Sequence, residues 1–112
     1  MASTILGENQ VASRIESLTM LKSVAASTDV SNDFGFQEIL SRCQTILEMS
    51  DQQIADALLV SRPTVNRWIR GKNLPHRAMR KPIFEWICAQ SSQRLRVLKG
   101  DDRKVPASRR TA

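Results

Sequence analysis

Apolar residues along this chain recur at spacings of three and four with no sustained alternation, a pattern that predicts helices and no strands. Val11, Ile15, Leu18, Leu21 and Val24, with Met20 beside them, predict an amphipathic helix over 11–26. Residues 1–10 show no clear period and are expected to form a flexible N-terminus. Ser27–Gly35 is a polar connector. Ile39, Leu40, Cys43, Ile46 and Leu47 share one side of a helix spanning Phe36–Glu48, and short helices at about 51–58 and 62–70 follow. After Pro75, His76–Lys81 allows a single helical turn. Pro82 disfavours continuation and is expected in the first turn of a last helix, Pro82–Leu98, with Ile83, Phe84, Ile87, Cys88, Leu95 and Leu98 inward. Gly100 stops it, and 99–112 is expected to be a disordered basic tail. The expected fold class is all-α: a small helical bundle of about five to six helices containing a helix-turn-helix, with disordered termini and its domain over 36–98.

The middle of the chain is the most informative part. Ser50 stands before a periodic run with Gln53 three residues on, a capping-box start. Ile54, Ala55 and Leu58 share a buried face, with Ala55 small where a second helix must pass closely. Ser61 caps again, and Pro63 sits just inside the new helix, where its missing N–H costs nothing. Val65, Trp68 and Ile69 form that helix's inward stripe, and Gly71 ends it in the left-handed conformation. Its outer face carries Arg62, Thr64, Asn66, Arg67 and Arg70. A short helix propped at a steep angle, with donors on its free face, meets the demands of a DNA major groove.

These residues resemble the Cro/repressor-like (Xre-type) helix-turn-helix family. The resemblance runs from about Phe36 to Ala89, roughly half the chain, and rests on the small residue at 55, the run Val60-Ser61-Arg62-Pro63-Thr64-Val65 and the ending Trp68-x-x-Gly71-Lys72-x-x-Pro75. It implies a five-helix domain that binds double-stranded DNA, with the positions of Arg62, Pro63, Thr64 and Arg67 as base readers and the loop of Lys72 and Asn73 gripping the backbone. The family often has glycine at the first turn position, where this chain has Leu59. A left-handed leucine costs on the order of 1 kcal/mol, so the turn is either strained or differently built.

Charge sharpens the picture because it is segregated. The chain of 112 residues is formally +6. Residues 1–56 hold three basic and eight acidic side chains, residues 57–84 hold seven basic ones and no acid, and residues 85–112 hold seven basic and three acidic. The cationic excess therefore sits on and after the second short helix, as a polyanion-binding face would require; the plainer alternative is an uneven solvated surface.

Arg62 and Arg67 lie about 140° apart around their helix and flank its free face. A guanidinium matches O6 and N7 of guanine, Thr64 offers a methyl to thymine, Asn66 suits adenine, and Pro63 is limited to apolar contact. The competing expectation is that the arginines reach phosphate alone or pair with Asp51 or Asp56. Gln53, Ser61, Arg70, Lys72 and Asn73 are the phosphate candidates. Arg77, Arg80 and Lys81 extend that grip or simply face solvent. Trp68 and Trp86 read as core, and His76 as a cap or phosphate contact. Cys43 and Cys88 read as small buried residues in a reducing compartment. No nucleophile–base pair or metal-ligand spacing is found, so neither an enzyme nor a cofactor is expected. No apolar run would cross a membrane and no leader is seen, so the expected location is cytoplasmic.

The helix over 11–26 either packs back on the domain or pairs with its copy in a homodimer; the last helix is an equal candidate for that contact. The leading expectation is a transcriptional regulator reading DNA with residues 62–70. The rival is a protein-binding anti-activator or adaptor that uses the same scaffold to dock a protein partner.

Overall fold

The computed structural model describes the backbone of residues 2–100 and the side chains from residue 10 onward. Five helices occur among them: α1 (Ala2–Ser27), α2 (Asp33–Ile46), α3 (Asp51–Leu58), α4 (Arg62–Ile69) and α5 (Arg77–Lys99). The starts of α2 to α5 are written in single residues whose side chains satisfy free N–H groups. Asn32 Oδ1 accepts from the Gly35 N–H at 3.0 Å. Ser50 and Gln53 form the complete reciprocal box, Oγ accepting from the Gln53 N–H at 3.1 Å and Gln53 Oε1 from the Ser50 N–H at 2.8 Å. Ser61 Oγ accepts from the Thr64 N–H at 3.2 Å, and His76 Nδ1 from the Ala78 N–H at 3.2 Å. His76 is thus the cap at the head of α5.

Phe36 of α2, fully buried, is the centre of the core. Phe84 of α5 stacks on it at 5.7 Å, and Trp68 of α4 meets it edge-on at 6.1 Å, an arrangement aromatic quadrupoles favour. Ile39, Leu40, Cys43, Ile54, Ala55, Val65 and Ile87 close around this trio. Trp68 is core as the pattern predicts, and Trp86 is half-buried against it.

The first helix packs back on its own chain. Leu18, Leu21 and Ala25 are buried against α5 and α2, while Val11 and Met20 of the predicted stripe are exposed. Arg14 pairs with Glu48, and the Cys88 thiol points to the Lys22 carbonyl at 3.6 Å. The helix also begins at Ala2, well before Val11. Periodicity detects only the stretch that carries core positions; residues 2–10 contain no proline to stop a helix and no stripe to announce one.

Other boundaries differ from expectation: α2 ends at Ile46, short of Glu48, which is left-handed at φ 56°. The connector is shorter than Ser27–Gly35, because Asn32 caps α2 and draws Asp33, Phe34 and Gly35 into its first turn. The break expected at Pro82 is absent: α5 runs unbroken through it. A proline there removes one amide donor, that of Pro82 toward Ala78, on an exposed side of the helix. The turn before it is held from inside. Arg80 Nε donates to the Pro75 carbonyl at 2.9 Å and Nη1 to the Val30 carbonyl at 3.0 Å, while Ile83 and Phe84 are buried just beyond. Those contacts outweigh one lost hydrogen bond. The stop of α5 at Gly100, left-handed at φ 80°, agrees with the sequence pattern; of the expected tail over 99–112, Lys99 instead closes the helix, and 101–112 lie outside the described residues.

Candidate functional site

The bend between α3 and α4 consists of Leu59, Val60 and Ser61. Leu59 is left-handed, at φ 61° and ψ 42°. Of the two options for this turn, the strained one is realised: the leucine takes the conformation that glycine adopts without cost. The Val60 N–H closes the bend on the Ala55 carbonyl at 3.0 Å. Ala55 is fully buried, as a close helix crossing requires.

Val65 and Trp68 bury one side of α4, so the opposite side faces out. Arg62, Pro63, Asn66, Arg67 and Arg70 are exposed there and Thr64 is half-exposed. Arg62, Arg67, Arg70 and Lys72 make no ion pair among the described residues, and Asp51 and Asp56 have other partners. Gln52 Nε2 donates to Asp56 at 2.9 Å. Four cations therefore stand on or beside one short helix with no carboxylate in ion-pair contact with them among the described residues, a source of positive potential over that face.

The far end of α4 is equally well held. The Gly71 N–H donates to the Trp68 carbonyl at 2.9 Å and the Lys72 N–H to the Arg67 carbonyl at 2.7 Å, the two bonds of a Schellman close, with Gly71 at φ 79°. A side chain at 71 would also collide with Gln37, whose Oε1 lies 2.8 Å from where a Cβ would be. Gln37 Nε2 donates to the Ile69 carbonyl at 3.1 Å, tying α2 to the last turn of α4. Lys72 and left-handed Asn73 are exposed immediately after this close.

The predicted residues divide by how free they are. Arg62, Arg67, Arg70, Lys72 and Asn73 have exposed side chains with no hydrogen-bond partner among the described residues. Ser61 Oγ is committed to its cap and lies 2.7 Å from Thr64 Oγ1, so these two hydroxyls first serve the helix start. Gln53 spends its carbonyl on the capping box and keeps its amine free. Asn66 Nδ2 donates to Asp51 Oδ2 at 3.1 Å. Arg80 is not a surface cation: it is buried, 2.8 Å from Asp33 Oδ1.

Two residues of the site have no counterpart among the predicted ones, Asp51 and Gln37. Asp51 had a legible role as the acidic first residue of α3, favourable to the helix dipole. Its second role, joining α2 and α4 through Gln44 and Asn66, depends on partners remote in sequence. Gln37 carries no local signal.

The cysteines lie on α2 and α5, not on this face. Burial pushes the Cys43 thiol up to about 12, and burial also raises Cys88. Among the described residues no group of His, Cys, Asp and Glu is arranged to hold a metal ion, and no helix is long and apolar enough to cross a membrane. Set beside models of known protein families, curated proteins and solved structures, the chain matches none of them.

Proposed function

We propose that the chain is a sequence-specific regulator of transcription of the Xre type, acting in the cytoplasm, that binds double-stranded DNA by laying α4 in the major groove. The observation that carries this reading is the division of α4. Val65 and Trp68 anchor one side in the core, while Arg62 and Arg67 project from the other with no carboxylate against them. Arg62 and Arg67 are the principal base readers, Thr64, Asn66 and Pro63 their neighbours. Arg70, Lys72, Asn73, Gln53 and Ser61 flank them toward the phosphates. Bound across a promoter, such a protein blocks or recruits polymerase; a homodimer would place two such helices one turn of DNA apart.

Binding to random duplex across a salt series tests this directly. A log–log slope of roughly −0.9 for each phosphate contacted is expected. Absence of binding at about 50 mM salt, where counterion release favours association most, would refute it.

A second reading, docking of a protein partner, draws on Leu59. This side chain is 90% exposed on a left-handed backbone, and its chain neighbours Leu58 and Val60 line a shallow apolar groove with Trp68, Met79 and Pro82. An exposed leucine in a conformation that disfavours it is a breach of local preference of the kind found at functional positions. If this reading holds, Leu59→Asn, a neutral polar residue that tolerates the left-handed backbone, abolishes capture of the partner and leaves duplex affinity unchanged.

A further inference from the structure

Asp51 joins three helices through one carboxylate. Its Oδ1 accepts from Gln44 Nε2 of α2, and its Oδ2 accepts from Asn66 Nδ2 of α4 at 3.1 Å. Asp51 is the first residue of α3, half-buried, and Gln44 is half-buried behind it. Asn66 is exposed and lies with Arg62 and Pro63 around one small concavity of the outer face.

An amide side chain has a donor end and an acceptor end, and in solution nothing fixes which points where. An ionised carboxylate accepts and never donates. Asp51 therefore admits one orientation of Asn66: the amine turned toward α3, the carbonyl oxygen turned away. Gln44 removes the remaining freedom, because its own donor holds Asp51 from the inner side. The amide is thus preorganised, which saves the entropy of fixing it on binding.

We infer that Asp51 is a positioning residue for base choice, setting Asn66 as an outward acceptor that selects a base with an exocyclic amine. In the major groove adenine N6 and cytosine N4 donate, whereas guanine O6 and thymine O4 accept. An outward Asn66 Oδ1 meets the first pair with a hydrogen bond and the second with two opposed lone pairs. The remaining N–H of Asn66 reaches N7 when the base is adenine, which makes adenine the better of the two. This inference rests on α4 being the groove-reading helix.

The test is selection of bound duplexes from a random pool by the full chain, by Asp51→Asn and by Asn66→Ala. Asparagine at 51 both donates and accepts, so it releases Asn66 to present either end. The wild-type consensus is expected to contain one position with adenine or cytosine favoured roughly ten-fold over guanine and thymine. Both variants lose that preference while other positions persist. Asp51→Asn also binds random duplex more tightly, because a negative charge near the phosphates is gone. A merely structural Asp51 would instead lower Tm and affinity at every position together. An unchanged consensus in Asp51→Asn, or an Asn66-dependent position favouring guanine or thymine, overturns this inference and leaves the DNA-binding reading intact. Failure of the wild-type chain to enrich any sequence overturns both.

Discussion

The Arg80 guanidinium carbon lies 5.4 Å from the centroid of the Phe36 ring, a cation held over the aromatic centre of the core. The same group donates to the Pro75 and Val30 carbonyls and pairs with Asp33. It thereby gathers the loop after α4, the connector before α2 and the head of α5 onto one side chain. This is a structural arginine within a segment whose other cations face outward.

Removing it is expected to be costly. Arg80→Ala leaves two inner carbonyls unpaired and a gap over Phe36, and should destabilise by about 3 kcal/mol in urea unfolding. Asp33 is largely exposed, so Asp33→Ala should cost only about 0–1 kcal/mol. Equal losses from the two variants would show that the ion pair, and not the carbonyls and the ring, carries the effect.

The turn offers a change of opposite sign. Leu59 has a positive φ and buries almost nothing, so Leu59→Gly relieves backbone strain at little loss of packing. A gain of about 0.5–1 kcal/mol is expected, the relief being partly offset by the extra chain entropy of glycine. Loss of stability in thermal melts would mean that the leucine side chain has contacts that matter.

On the outer face, Arg62→Ala and Arg67→Ala should each cost about 1–3 kcal/mol on a selected duplex and relax base choice, while Lys72→Ala weakens all sequences alike. Titrations on selected and random duplex separate the two behaviours. The base-reading roles fail should all three variants lose equally on both.

The buried Cys43 thiol makes stability depend on alkaline pH. Its pKa is raised from an ordinary 9.0 to about 12 by burial, so the folded state keeps its proton where the unfolded state releases it. The folded form then binds more protons, and stability falls as pH rises above 9 toward 12, by at most about 1.4 kcal/mol per unit. Denaturation of Cys43→Ala over the same range should lack this component of the slope; an identical slope would contradict it.

The boundaries of the helical pair were legible because each depends on neighbours in the chain. Ser50 with Gln53, Ser61 with Pro63, and Gly71 act within a single turn, and the 51–58 helix falls where its caps place it. Which side of α4 is buried was equally readable, since Val65 and Trp68 share the helical spacing that the core selects. The free arginines are a less complete case: residue type and position suggested an outer face, while the absence of carboxylate partners among the described residues is a matter of distances.

Misreadings arose where a remote contact outweighs a local preference. Pro82 alone argues for a break, and the anchoring of Arg80 to Pro75 and Val30 cancels it. Arg80 itself looks in sequence like Arg77 and Lys81, and only packing separates the buried cation from the exposed ones. Left-handed Leu59 could not be chosen from the two possible turns by residue type, which disfavours it; the crossing of α3 and α4, closed by the Val60 N–H on the Ala55 carbonyl, decides the turn.

Sequence alone determined an all-α chain, the limits of α3 and α4, and the concentration of positive charge on and after α4, because caps, periodicity and residue type operate over a few neighbouring positions. Tertiary structure alone decided that α1 covers its own domain, that α5 is continuous, and that Asp51 takes hold of Asn66, because hydrogen bonds and burial between distant segments exist only once the chain has closed on itself.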